Sequence, residues 1–287
     1  MHISLLALMV GVAVLWRWRW QPTAGSWQTR WQTALSAFCL PPLMVLLAAG
    51  VVIAMGHHGT MMGRSVSPVG CWVSLGVLTI ASGVLAYSLG RAAGMAWWLR
   101  QYPLVPLPQG GQGRCLPMEL PIIAQIGLGR SALVVSQGWL QQLTPTEQQA
   151  TIAHEQAHAD CRDPFWFFWL GVLRRLGGWL PNTTALWEEL LLLRELRADQ
   201  RAAQTSDPLL LAELLVKLAR QMTLAQPMTA LDACVGFNEA MSLSRLEQRV
   251  NALIEPGEVD SRPRVEPGQI LWLAIALLPL ATPWLHR

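Results

Sequence analysis

His154 and His158 lie four residues apart in the run HEQAH, with Glu155 beside the first of them. On a helix, residues at i and i+4 share one face a turn apart, so both imidazoles can reach a single metal ion. Glu155 sits about 100° further round, where its carboxylate can address a water beside the ion without taking a metal position. Imidazole nitrogen suits zinc, which lowers the pKa of a bound water towards neutrality. A neighbouring carboxylate can then take that proton and later return one to a leaving amine. The pattern therefore reads as hydrolytic chemistry: His154 and His158 as ligands of Zn2+, and Glu155 as general base. In a chain of this composition it arises by chance roughly once in two hundred sequences, so a further ligand is the next requirement.

A catalytic zinc site usually takes three protein ligands and leaves one position open. The downstream run ELRAD offers Glu195, with Asp199 one helical turn later on the same face. An isolated glutamate most often lies on a solvated face, but this paired spacing below two candidate histidines favours a ligand and its support. Asp199 is then expected to accept a hydrogen bond from the outer nitrogen of a ligand histidine. Glu188 and Glu189, two turns earlier, are competing carboxylates.

These residues need a frame. Thr144 can cap a helix beginning at Pro145, and Glu147 completes a capping box, which places HEQAH inside that helix. Before it, Pro121 to Ile126 and Ala132 to Ser136 are β-favouring runs separated by GLGRS, consistent with a hairpin or two neighbouring strands. Residues 101–120, rich in Pro and Gly, read as an irregular entry loop. Further helices are expected over Thr184 to Ala203, from Pro208 with Ser206 or Asp207 as cap, and over Ser242 to Ile254. The aromatic run PFWFFWLGVLRRLGGWLP is interrupted by Arg174 and Arg175; it suits a membrane surface and a protein core equally well.

Composition places this frame at a membrane. The 287 residues are 52% hydrophobic and only 14% charged, unusual for a soluble domain. The apolar residues concentrate in Ile3 to Trp16, Ala34 to Met55, Val69 to Leu89 and Ile270 to Leu285, which read as spans of a multi-pass protein in contact with lipid. A cleaved signal is disfavoured for the first stretch, since no basic residue precedes it and the run WRWRW after it suits an interfacial anchor. Arg17, Arg19 and Arg30 lie between the first two stretches, against Arg64 alone between the second and third, which sets the amino terminus outside and residues from about 91 to 268 on the cytoplasmic side. The expected organisation is a membrane region over residues 1–100, a cytosolic metallopeptidase domain over 101–266 and a C-terminal span over 267–287. A net charge of +3 gives no basic bias towards nucleic acid. The five scattered cysteines indicate neither a disulfide framework nor a cysteine metal site.

HEQAHADCRD followed by ELRAD, with apolar stretches before and after, resembles the BlaR/MecR family of membrane zinc peptidases over nearly the whole chain. The resemblance implies a mainly α membrane protein with four transmembrane helices and a zincin-like α+β peptidase domain inserted between the third and fourth. It assigns His154, His158 and Glu195 to zinc, Glu155 to general-base catalysis and Asp199 to support. ALVVSQGWLQQL resembles the edge strand and turn of such peptidases, which implies that substrate is held by strand addition. Ala198 stands where the family commonly has Cys; the HtpX and Ste24 type of membrane peptidase also carries Ala there, so a quality-control or processing role is an alternative. A non-catalytic sensor with a structural zinc is another. The family's usual target is a BlaI/CopY-type transcriptional repressor in the cytosol, and a homodimer is one candidate assembly.

The family's penicillin-binding sensor follows the fourth span, whereas this sequence ends at Arg287, so a trigger other than a β-lactam is expected. The outer loop MGHHGTMMG gathers His57, His58, Met61 and Met62, with Met55 and Cys71 nearby. Thioether and imidazole donors favour Cu(I), which makes the loop a candidate copper-sensing site. Methionines touching lipid headgroups are the alternative.

Overall fold

The computed structural model describes residues 2–22, 25–56, 58, 60–61, 64–65, 67–108, 110–129, 131–224, 243–255 and 274–285. The chain divides into two compact units, one drawn from Met1–Ser88, Leu170–Leu190 and Val259–Arg287, the other from Leu89–Trp169 and Leu191–Glu258.

The first unit contains α1 (His2–Arg19), α2 (Trp27–Met55), a two-stranded ribbon of β1 (Thr60–Met61) and β2 (Arg64–Ser65), and most of α3 (Pro68–Leu99). All three helices are long and apolar enough to cross a membrane, and the chain is accordingly membrane-associated. α2 continues through Pro41 and Pro42. Leu6, Met9 and Ala13 of α1 are buried together with Met44, Ala48, Ala49 and Val52 of α2; the alanines let the backbones approach closely. On α3, Trp72, Ile80 and Tyr87 are exposed. Arg17 is buried, donating to the carbonyl of Phe38 at 3.0 Å and to Thr183 Oγ1 at 3.3 Å. Arg30 forms a forked pair with Glu189 at 2.8 and 3.0 Å. Of the expected fourth span, the described part is a short apolar helix, Ala274–Pro283. Residues Leu278–Leu285 are 3₁₀, in keeping with Pro279 and Pro283, which have no N–H to donate. Residues 256–273, where that span was expected to begin, lie outside the described residues.

The second unit is built on a four-stranded mixed sheet of β3 (Leu104–Pro106), β4 (Gln112–Leu116), β5 (Ile123–Ile126) and β6 (Ala132–Ser136) in the order β3-β4-β6-β5. Two expectations are corrected here. Residues 101–120 are not an irregular loop throughout, because β3 and β4 pair antiparallel across a turn at Gly110 and Gly111, whose φ values of +88° and +85° explain the glycines. β6 is not an edge strand: β4 pairs with it on one side in parallel and β5 on the other antiparallel, so the sheet edge on that side is β5. The adjacent pair Ile123 to Ile126 and Ala132 to Ser136 is as expected.

β6 leads directly into α4 (Gln137–Gln142), and Ser136 fastens the junction by accepting from the backbone of Ile122 at 2.9 Å and of Trp139 at 3.0 Å while donating to the carbonyl of Leu120. α5 (Pro145–Asp160) starts with Thr144 as cap and the full capping box with Glu147. Trp139, fully buried, donates from Nε1 to Thr151 Oγ1 at 3.0 Å, and Gln148 Nε2 donates to carbonyls at the end of α4. These bonds fix the rotation of α5 about its axis. α6 (Asp163–Leu176) and α7 (Thr183–Ala202) contribute their parts up to Trp169 and from Leu191 to this unit, and α8 (Pro208–Leu224) and α9 (Leu243–Ile254) complete its helices, with Asp207 Oδ1 accepting from Leu209 N at the head of α8. Val135, Trp139, Ala150, Ala202, Leu211, Leu214 and Leu253 form the core of this unit.

Candidate metal centre

α5 presents His154 and His158 one turn apart, and α7 brings Glu195 to them. His154 Nε2 lies 3.1 Å from His158 Nε2 and 3.4 Å from Glu195 Oε2, and His158 Nε2 lies 3.8 Å from Glu195 Oε1. Ligands held at about 2.0–2.2 Å around a tetrahedral zinc are about 3.3 Å apart. Two imidazole nitrogens and one carboxylate, at these spacings, fit such an ion and leave a fourth position open. Among the described residues, this group of His, Cys, Asp or Glu could hold a metal ion. Glu189, a competitor by sequence, is paired with Arg30, both residues belonging to the first unit.

The outer nitrogens of both histidines are taken by carboxylates. His154 Nδ1 is 2.9 Å from Asp199 Oδ1, and His158 Nδ1 is 2.7 Å from Asp163 Oδ2. Each bond places the proton on Nδ1 and turns the Nε2 lone pair towards the shared point. The first partner was expected from the sequence. Asp163, at the head of α6, was not: it is five residues beyond His158 and reaches back only because Arg162 turns the chain with φ +53°. That left-handed residue is costly without glycine, and the Asp-Pro that follows it was the available signal.

Each supporting aspartate is in turn held by an arginine. Arg197 pairs with Asp163, and Arg249 of α9 forks onto Asp199 through Nε at 2.7 Å and Nη2 at 2.9 Å. Arg194 donates to Glu195 Oε1 at 2.9 Å, and Arg249 Nη1 stands 3.4 Å from Glu195 Oε2. None of these three arginines was singled out from the sequence. Arg249 carried a weak signal as a charge on a helix that otherwise reads as amphipathic.

The electrostatics follow from this wiring. Burial alone would lower the basicity of His154, but Asp199 and Glu195 push it up to about 10; a metal ion would take the place of that proton. Burial works against ionising Glu195, yet Arg194 and Arg249 hold it well below the usual carboxylate range. Asp199 and Asp163 are also held low against burial, by Arg249 and His154 in one case and by His158 and Arg197 in the other. Glu155 differs: burial raises it, the two histidines pull against that, and the result is a carboxyl above its ordinary value, a direction that suits a group exchanging protons near neutrality. Its Oε2 accepts from the backbone N–H of Gln125 at 2.9 Å, so it lies beside the edge strand β5.

No protein-family model matches this chain, and comparison with curated proteins gives no match.

The expected copper loop is only partly visible. His57 and Met62 lie outside the described residues, His58 is exposed, and Met61 belongs to β1. Cys71 Sγ lies 3.9 Å from His2 Nδ1, a histidine the sequence did not connect with the loop. The four described cysteines, Cys39, Cys71, Cys115 and Cys161, are free thiols, and Cys234 lies outside the described residues.

Proposed function

We propose that this chain is a membrane-associated zinc-dependent endopeptidase. The carrying observation is the convergence of His154, His158 and Glu195 at tetrahedral spacing, with Glu155 on the same helix as the two histidines. When bound, zinc supplies Lewis acidity, polarising a substrate carbonyl and acidifying water. The chain's own residues supply the rest. His154 and His158 point Nε2 inward because Asp199 and Asp163 hold Nδ1. Glu155 takes a proton from the attacking water and delivers one to the departing amine. An extended peptide adding to the outer edge of β5 would run past Glu155, and the Gln125 N–H now held by Glu155 is one such peptide could use.

The wider reading is that of the BlaR/MecR-like regulators: a multi-pass protein whose peptidase unit faces the cytoplasm and cleaves a BlaI/CopY-type repressor, with Cu(I) at the outer His/Met loop as the sensed signal. Supporting it are the ordered motifs HEQAHADCRD and ELRAD, the arginines between the first two apolar helices, and the loop composition.

The test is Glu155→Gln in the full chain, purified in detergent. It should retain zinc and lose proteolysis by about 10²–10⁴-fold. Unchanged proteolysis refutes the assignment, and absence of any proteolysis in a zinc-loaded parent protein favours a structural zinc in a sensor. In cells, Glu155→Gln should stabilise a co-expressed neighbouring repressor; cleavage of misfolded membrane proteins instead would indicate the HtpX and Ste24 type of role. Equal copper binding by the parent and a His57→Ala, His58→Ala variant removes the copper element.

A further inference from the structure

α9 buries two arginines, Arg245 and Arg249, on the face that also buries Leu253. A buried guanidinium is costly unless its charge is met. That of Arg249 meets the two carboxylates on which the metal centre depends. Nε and Nη2 fork onto Asp199, and Nη1 faces Glu195 Oε2.

We propose that Arg249 is a positioning residue of the metal centre, fixing His154 through Asp199 and Glu195 directly. The inference rests on the zinc reading above. Asp199 is only 2% exposed, so water cannot replace a missing partner. Its Oδ1 serves both His154 Nδ1 and Arg249 Nη2, and its Oδ2 accepts from Arg249 Nε. Two parallel N–H bonds define the carboxylate plane in a way that a single bond does not. The carboxylate plane then sets the His154 ring and its tautomer, with Nδ1 protonated and Nε2 left for the ion. Lysine, a point charge without the fork, cannot do the same.

Electrostatics makes the opposite prediction, which gives the test its force. Glu155, Asp163, Glu195 and Asp199 face Arg194, Arg197 and Arg249 around the site. Removing one guanidinium makes the surroundings more negative, and Coulomb attraction alone would then tighten binding of a dication. Positioning requires that binding weaken.

The experiment uses the full chain in detergent, with Arg249→Met, Arg249→Lys, Asp199→Asn and the double variant Asp199→Asn/Arg249→Met. Zinc affinity is read by chelator competition, and coordination by the visible absorption of Co2+. Arg249→Met should weaken zinc by about 10–100-fold and alter the Co2+ spectrum, and Arg249→Lys should remain weakened although the charge is kept. The double variant should lose less than the sum of the two single losses, because Asp199 and Arg249 share the route to His154. Zinc binding by Arg249→Met as tight as the parent, or tighter, overturns the proposal, as does an additive loss in the double variant. If Arg249→Met does not fold, Arg249→Lys decides: parental affinity and spectrum there overturn it equally. A parent protein that takes up no zinc sinks this inference and the peptidase reading together, whereas a zinc-binding parent with indifferent Arg249 variants sinks this inference alone.

Discussion

Asp160 and Asp163 flank Cys161 and Arg162 in the same short run, and the structure gives them opposite importance. Asp160 lies on the exposed side of α5, where its Oδ1 accepts from Gln156 Nε2 at 2.7 Å. Asp163 is buried, accepts from His158 Nδ1 at 2.7 Å and pairs with Arg197. Asp163→Asn keeps an oxygen for the imidazole N–H but removes the charge. The expected loss of zinc affinity is about 10–100-fold, or about 1.4–2.7 kcal/mol. Folding of the metal-free protein should also suffer, since the weakened bond to Arg197 is charge-assisted, worth about 1.5–3 kcal/mol, and a negative charge in the first turn of α6 contributes about 0.3–1 kcal/mol. Asp160→Asn should change folding by less than about 0.5 kcal/mol and leave zinc affinity intact. Chelator competition on both variants, with chemical unfolding in parallel, measures the contrast. If Asp163→Asn binds zinc within about twofold of Asp160→Asn, a difference under about 0.5 kcal/mol, the supporting role of Asp163 is refuted.

Three further outcomes concern the frame that carries the site. Thr144→Ala should destabilise the protein by about 1 kcal/mol through loss of the α5 cap, read as a shift in unfolding midpoint. At Gly138 a Cβ would run into the backbone carbonyl of Glu119, so Gly138→Ala should cost at least about 1–3 kcal/mol; a neutral result would contradict the packing of α4 against the connection between β4 and β5. Burial alone would raise the carboxyl of Glu147, but Lys217 and Thr144 bring it below its ordinary value of 4.5. A group depressed in the folded state stabilises above its unfolded pKa and loses that contribution as pH falls through the folded one. Glu147→Gln should therefore be less stable than the parent near neutrality, with the difference shrinking as pH falls from the ordinary glutamate range through the lower folded value, as followed by unfolding at stepped pH.

Features that depend on neighbours along the chain could be read from residue order. The i, i+4 spacing of His154 and His158, the Thr144 and Glu147 capping box, the relation of Glu195 to Asp199 and the apolar runs of α1, α2 and α3 are consequences of helix period, backbone valence and hydropathy over one to eight turns. Tertiary packing decided the rest. It selected Glu195 and sent Glu189 to Arg30, made β5 the edge strand by pairing β6 on both sides, and turned Asp163 back onto His158. It also delivered Arg249, 54 residues beyond Glu195 in the chain, to the carboxylates of α7. No local periodicity encodes such meetings. They follow from which helix faces bury against one another, and there the need to neutralise a buried charge chooses among side chains that look alike in sequence.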